Sequence, residues 1–163
     1  MTNNSLAFIA LCNEYCAALE NPQAESTVDF AMQMLRLLPR IYISAADLEP
    51  EPGIGDTYID QALDEDFYDS VRRRLEQIFG EDDTYLEVFE EDMKYSDTPI
   101  AASIAEGLAD LFQVFYNMLD AVRDAPEHLA NDILAAVKDD FSDYWSQILC
   151  NLMRPLNHLA HNS

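Results

Sequence analysis

Hydrophobic positions recur along this chain with the 3.6-residue period of amphipathic helices, in five separate stretches. In the first, Leu6, Ile9, Cys12, Cys16 and Leu19 share a face that Phe8 and Tyr15 widen. That helix starts after Asn4 or Ser5, either of which can cap it, and Asn21-Pro22 stops it. The second runs from about Ser26 to Leu38, with Phe30, Met34, Leu35 and Leu38 inward. Pro39 must end or kink it, and Arg40 to Ala46 can continue as a further turn. Asp47 to Asp64 reads as a linker, with a turn at Gly53-Ile54-Gly55. A third helix spans Glu65 to Phe79, and Gly80 fits its C-terminal stop.

Glu81 to Thr98 is acidic and without helical period; Tyr85, Leu86, Val88 and Phe89 are expected to dock it. Asp97-Thr98-Pro99 then reads as a helix start, a capping side chain followed by proline at the first helical position. The fourth helix, Pro99 to about Asp124, carries the broadest apolar stripe, from Ile100 and Ile104 to Leu119 and Val122, so it should be central. Pro126 opens a fifth helix to about Met153, with Leu129, Ile133, Val137, Phe141, Tyr144 and Ile148 inward. Pro155 kinks or ends it. The prediction is an all-α fold: one compact domain over residues 1–163, a bundle of about five main helices, with an irregular acidic segment before the central one.

Charge changes the functional picture. The chain has 163 residues and a formal net charge of -22. The stretch from Asp47 to Asp97 holds 18 carboxylates against four bases (Arg72, Arg73, Arg74 and Lys94), which is 14 of the 22 excess negative charges. Such a field repels phosphate backbones and anionic membrane surfaces, and it suits a basic partner or plain solubility. With 49% apolar residues the chain is too hydrophobic to be a disordered acidic tail. The three basic residues Arg72, Arg73 and Arg74 are expected to be salt-paired, through Asp69/Arg73 and Arg72/Glu76 at i,i+4.

Motif chemistry is sparse. Asp47, Glu49 and Glu51 alternate like a calcium loop, but Pro52 and Tyr58 stand where glycine and glutamate are needed. Cys12 and Cys16 lie one turn apart on an apolar face and read as small buried hydrophobes, and three cysteines point to a reducing compartment. Leu6 to Leu11 before Cys12 has no preceding Lys or Arg, and bulky Leu11 argues against a lipoprotein signal. No stretch reaches the ~18 apolar residues of a membrane span. Glu-x-x-His pairs, G-x-S-x-G and phosphate-loop patterns do not occur. No metal, cofactor or catalytic residue is therefore assigned.

Two segments carry a resemblance. They are Tyr85-Leu86-Glu87-Val88-Phe89, and Thr98-Pro99-Ile100 leading through Ser103, Glu106 and Gly107 to Leu108-Ala109-Asp110-Leu111-Phe112. They resemble an uncharacterised bacterial family, domain of unknown function 5063. In the family pattern an aromatic-x-Glu-Val-Phe segment precedes Pro-Val/Ile, then Ser-Leu-Ala, two acids and Leu-Ala-Asp-Ile-Tyr. The layout of helices, the acidic linker, Trp145 and Arg154 extend the likeness over nearly the whole chain. The chain departs from it at Gly107, where an acid is usual, and around Tyr144 to Gln147, where histidines are missing. The resemblance implies the helical fold and a bacterial cytoplasmic setting, and it supplies no reaction.

Two sets of residues remain as candidates. Ser103, Glu106 and Asp110 form one ridge of the fourth helix, and Trp145 and Arg154 of the fifth are expected opposite them as a ligand or partner pocket. An Arg154 pair with Glu106 or Asp110 would alternatively be an interhelical salt bridge. Tyr85, Glu87, Phe89, Glu90, Glu91, Asp92 and Tyr95 form an aromatic–acidic partner surface, with Phe89 and Tyr95 as anchors. The favoured function is an interaction module for a protein partner, touching neither nucleic acid directly nor membrane, and the balance leans away from an enzyme without deciding it. The alternatives are a small-ligand binder or enzyme using the pocket, and a mimic of nucleic-acid charge.

Overall fold

The computed structural model describes residues 1–51, 57–87 and 99–162. The fold is all-α: six helices and two short strands among the described residues. Helix α1 is Asn3–Glu20 and α2 is Thr27–Ala46. Helix α3 is Glu65–Phe79, and a 3₁₀ turn, Gly80–Asp83, leads into strand β1, Thr84–Glu87. Strand β2, Ile100–Ser103, pairs antiparallel with β1 and runs straight into α4, Ile104–Val122. Helices α5, Glu127–Asp140, and α6, Ser146–Asn162, are joined by one wide π turn, Phe141–Trp145. Counted as one bent helix, α5 and α6 make the fifth element of the expected bundle.

Burial explains the layout. Helix α4 is the central helix as expected: Ile104, Leu108, Leu111, Phe112, Phe115 and Met118 are fully buried, and α1, α3, α5 and α6 all pack on it. The face of α1 is rotated from the expected one. Phe8, Cys12, Tyr15, Cys16 and Leu19 are buried, whereas Leu6 points outward. The cap also shifts, because the Thr2 hydroxyl accepts from the Ser5 amide at 3.0 Å, which leaves Ser5 buried inside the first turn.

Neither interior proline ends its helix. Pro39 lies inside α2 and Pro155 inside α6, and these two helices form the most extensive helix pair of the fold. A proline costs roughly 3 kcal/mol in a helix interior. Burial of Leu38, Ile41, Leu152 and Leu156 beside the two prolines outweighs that loss, at about 1.5–3 kcal/mol for each side chain removed from water. Lys138 then closes the end of α2 by donating to the carbonyls of Ala46, at 2.9 Å, and Leu48. Asn117 ties the following coil to α4 by accepting from the amides of Ala62 and Leu63.

The start of α4 corrects the sequence expectation. Pro99 does not open the helix: the chain is extended through Ser103, and Ser103 is the cap. Its hydroxyl accepts from the Glu106 amide at 3.1 Å and donates to Asp83 at 2.6 Å. Asp83 also accepts from the Ala105 amide at 2.7 Å, so a carboxylate sits on the positive end of the helix. Of the acidic segment, Thr84–Glu87 forms a strand, with Tyr85 opposite Ala102 and Glu87 opposite Ile100. On α3, Asp69 pairs with Arg72, at 3.6 Å, and not with Arg73; Arg72 also pairs with Glu76 as expected.

Candidate binding groove

The five residues expected to form one pocket are dispersed to three places. Trp145 is fully buried in the core, stacked on Phe8, edge-on to Phe115 and 4.6 Å from the Phe141 ring. Its indole N–H donates to the Val137 carbonyl at 3.1 Å. At the π turn Trp145 faces inward beside Phe141, and Tyr144, expected to face inward, is exposed. Trp145 is therefore a core residue and lines no groove.

Ser103, Glu106 and Asp110 do share one shallow cavity of about 280 Å³, between β2, α4 and the Ile148–Asn151 turn of α6. Arg154 lies in a neighbouring cavity of about 420 Å³, between β1 and α6. Tyr85, Glu87 and Asn151 line both, so the two cavities are chambers of one groove divided by these side chains. Among the described residues Arg154 forms no ion pair, and the expected bridge to Glu106 or Asp110 is not made.

Asp110 has a different partner. Its carboxylate accepts from the Tyr68 hydroxyl at 2.5 Å, joining α3 to α4. Burial raises the Asp110 pKa, the Tyr68 hydrogen bond opposes that rise, and the neighbouring Glu106 charge adds to it. The Tyr68 hydroxyl is itself pushed up, by burial first and then by Asp110. A carboxyl whose folded pKa is raised stabilises the fold below its unfolded pKa, and that contribution is lost as pH rises through the folded value. Asp110→Asn is therefore expected to raise the melting temperature at pH 7, with the gain over wild type vanishing below about pH 4. Paired thermal melts across that range measure it, and an unchanged or lowered melting temperature at pH 7 would refute the assignment.

The chamber beside Arg154 is built from both ends of the sequence motif. Ile104, Pro155 and Leu159 supply apolar wall, and Glu81 and Asp82 of the 3₁₀ turn supply an acidic rim. Leu86 is exposed at this chamber and Ile100 at the other. Of the expected partner surface, Tyr85 is half-buried and Glu87 buried, with the Tyr85 hydroxyl 3.2 Å from the Glu87 carboxylate. Phe89, Glu90, Glu91, Asp92 and Tyr95 lie outside the described residues.

Cys12 and Cys16 are buried, and burial raises both thiol pKa values, so neither is poised as a nucleophile. Among the described residues no cluster of three metal-ligating side chains occurs. No described helix is long and apolar enough to cross a membrane.

The family model for a domain of unknown function, DUF5063, matches residues 1–162. The chain belongs to this family. A crystal structure of protein BF1032 from Bacteroides fragilis superposes with a TM-score of 0.84 at 28% identity, covering 99% of this chain and 98% of that one. No curated protein matches the sequence. Within the family motif, the structure assigns Ser103 and Asp110 to structural contacts and leaves Glu106 facing the groove. Sequence reasoning missed Asp83 and Tyr68, the partners that engage Ser103 and Asp110. The available signal was Ser103-Ile104-Ala105-Glu106, a capping-box pattern hidden by the stronger-looking Asp97-Thr98-Pro99.

Proposed function

We propose that this DUF5063 member is an acidic interaction module, one domain over residues 1–163, that binds a basic protein partner in a bacterial cytoplasm. The observation that carries this reading is the groove between β1 and α6, apolar along its wall and acidic at its rim. Glu81 and Asp82 stand there without ion pairs among the described residues. Apolar wall with a charged rim is the anatomy of a protein-binding surface. A net charge of -22 would steer a basic partner toward it. Three free cysteines, two of them buried, support a reducing compartment.

Affinity capture from a bacterial lysate tests this, at low salt and at about 0.5 M salt, where surface attraction is largely screened. The expected result is a partner held by wild type at low salt, released at high salt, and not held by Glu81→Lys/Asp82→Lys. A partner that the folded double variant retains equally would remove the groove from the interaction. Absence of any partner would remove the module reading itself.

A further inference from the structure

We infer that the groove binds an extended basic segment of about five residues, laid along α6 across both chambers. This rests on the interaction-module reading and specifies how the partner is held. Helix α6 lines the two chambers from Ile148 to Leu159. The eleven steps between them, at about 1.5 Å each, span roughly 16 Å. An extended peptide advances about 3.3 Å per residue, so roughly five residues fill that length. A compact small molecule would fill one chamber only.

The two chambers repeat one chemistry. Each has free carboxylate at its rim: Glu81 and Asp82 in the larger, Glu106 in the smaller. None of these three makes an ion pair among the described residues. Of the exposed aliphatic residues of the two strands, Leu86 borders the larger chamber and Ile100 the smaller, from opposite faces of the sheet. That combination fits a lysine or arginine, whose methylene stem lies on the aliphatic group while its charge reaches the carboxylate. Side chains on one face of an extended peptide recur every second residue, which places successive basic groups in successive chambers. Anionic ligands are disfavoured, because Glu81 and Asp82 outnumber the Arg154 guanidinium in the larger chamber. Arg154, free of ion pairs, remains available to donate to backbone carbonyls of the segment.

The test uses the full chain and a fluorescein-labelled, C-amidated peptide, Lys-Leu-Lys-Leu-Lys, read by fluorescence anisotropy. Glu-Leu-Glu-Leu-Glu is the control peptide. Saturable binding of the lysine peptide alone is expected, weakened at least about tenfold by Glu81→Lys/Asp82→Lys and again by Glu106→Lys. The matched variants Asp139→Lys/Asp143→Lys and Asp139→Lys change the same charge at exposed acids that line neither chamber, and should weaken it less than about twofold. Thermal melts check folding, and Glu81→Gln/Asp82→Asn and Glu106→Gln replace any variant that does not fold. Equal loss in the remote variants would overturn the proposal in favour of a general field effect. Loss confined to one chamber would overturn the two-chamber mode. A captured partner that depends on Glu81 and Asp82, together with no peptide binding, would overturn this inference while leaving the interaction module standing.

Discussion

Trp145→Ala is expected to destabilise the protein by roughly 3–5 kcal/mol, the range for removing a large buried aromatic. Three aromatic rings lie against the Trp145 side chain, Phe8, Phe115 and Phe141, and they hold α1, α4 and the π turn together. The cavity left behind is too enclosed for neighbours to fill cheaply, because Phe8 and Phe115 are themselves fully buried. The Val137 carbonyl would also lose its indole donor. At about 2–4 °C per kcal/mol for a chain of this size, the melting temperature should fall by roughly 6–20 °C. Circular dichroism melts measure it. Trp145→Phe keeps most of the packing and should lose clearly less. The alternative, that Trp145 serves a ligand pocket, predicts lost binding with stability intact. A fall of under 1 kcal/mol would reinstate that view.

The second large effect concerns Gly107, whose missing side chain lets α4 and α6 meet. A Cβ there would stand 2.8 Å from Leu152 Cδ2 and 3.2 Å from its Cγ. Leu152 is fully buried, so it has little room to yield. Gly107→Val should therefore cost about 1–3 kcal/mol through overpacking, even though valine is the better helix former. Leu152→Ala alone should cost about 2–5 kcal/mol by leaving a cavity. Combined, the two should cost less than the sum of the single changes, because each relieves the other. A double-mutant cycle by urea unfolding reads the coupling, and strict additivity would show that the close approach is not what Gly107 provides.

Gly107 has a packing reason, the close approach of Leu152. Glu106, beside it, lines the groove. Binding should depend on Glu81, Asp82 and Glu106, carboxylates that line the groove and make neither an ion pair nor a side-chain hydrogen bond among the described residues.

Local sequence was sufficient wherever a short-range rule had no competitor. Helix α3 begins and ends where Asp64 and Gly80 say it should, since Asp64 caps Phe67 at 2.7 Å and Gly80 adopts φ 56°. The apolar stripe of α4 made it central, and spacing alone marked Cys12 and Cys16 as interior. What the sequence by itself determined, then, is the all-α class, the rank of its helices by apolar stripe, and the acidic field. Tertiary structure decided the rest. Pro39 and Pro155, expected to end or kink their helices, do not end α2 and α6, because burial between those helices exceeds the local penalty. At the π turn Tyr144, expected inward, is exposed and Trp145 takes the core position, because the wider turn shifts the helical register by about one residue. Ser103 and Asp110 were committed to Asp83 and Tyr68, residues 20 and 42 positions away, by long-range pairing that composition cannot reveal. A groove is the space left between packed elements, so its place and its free carboxylates exist only once the helices have met.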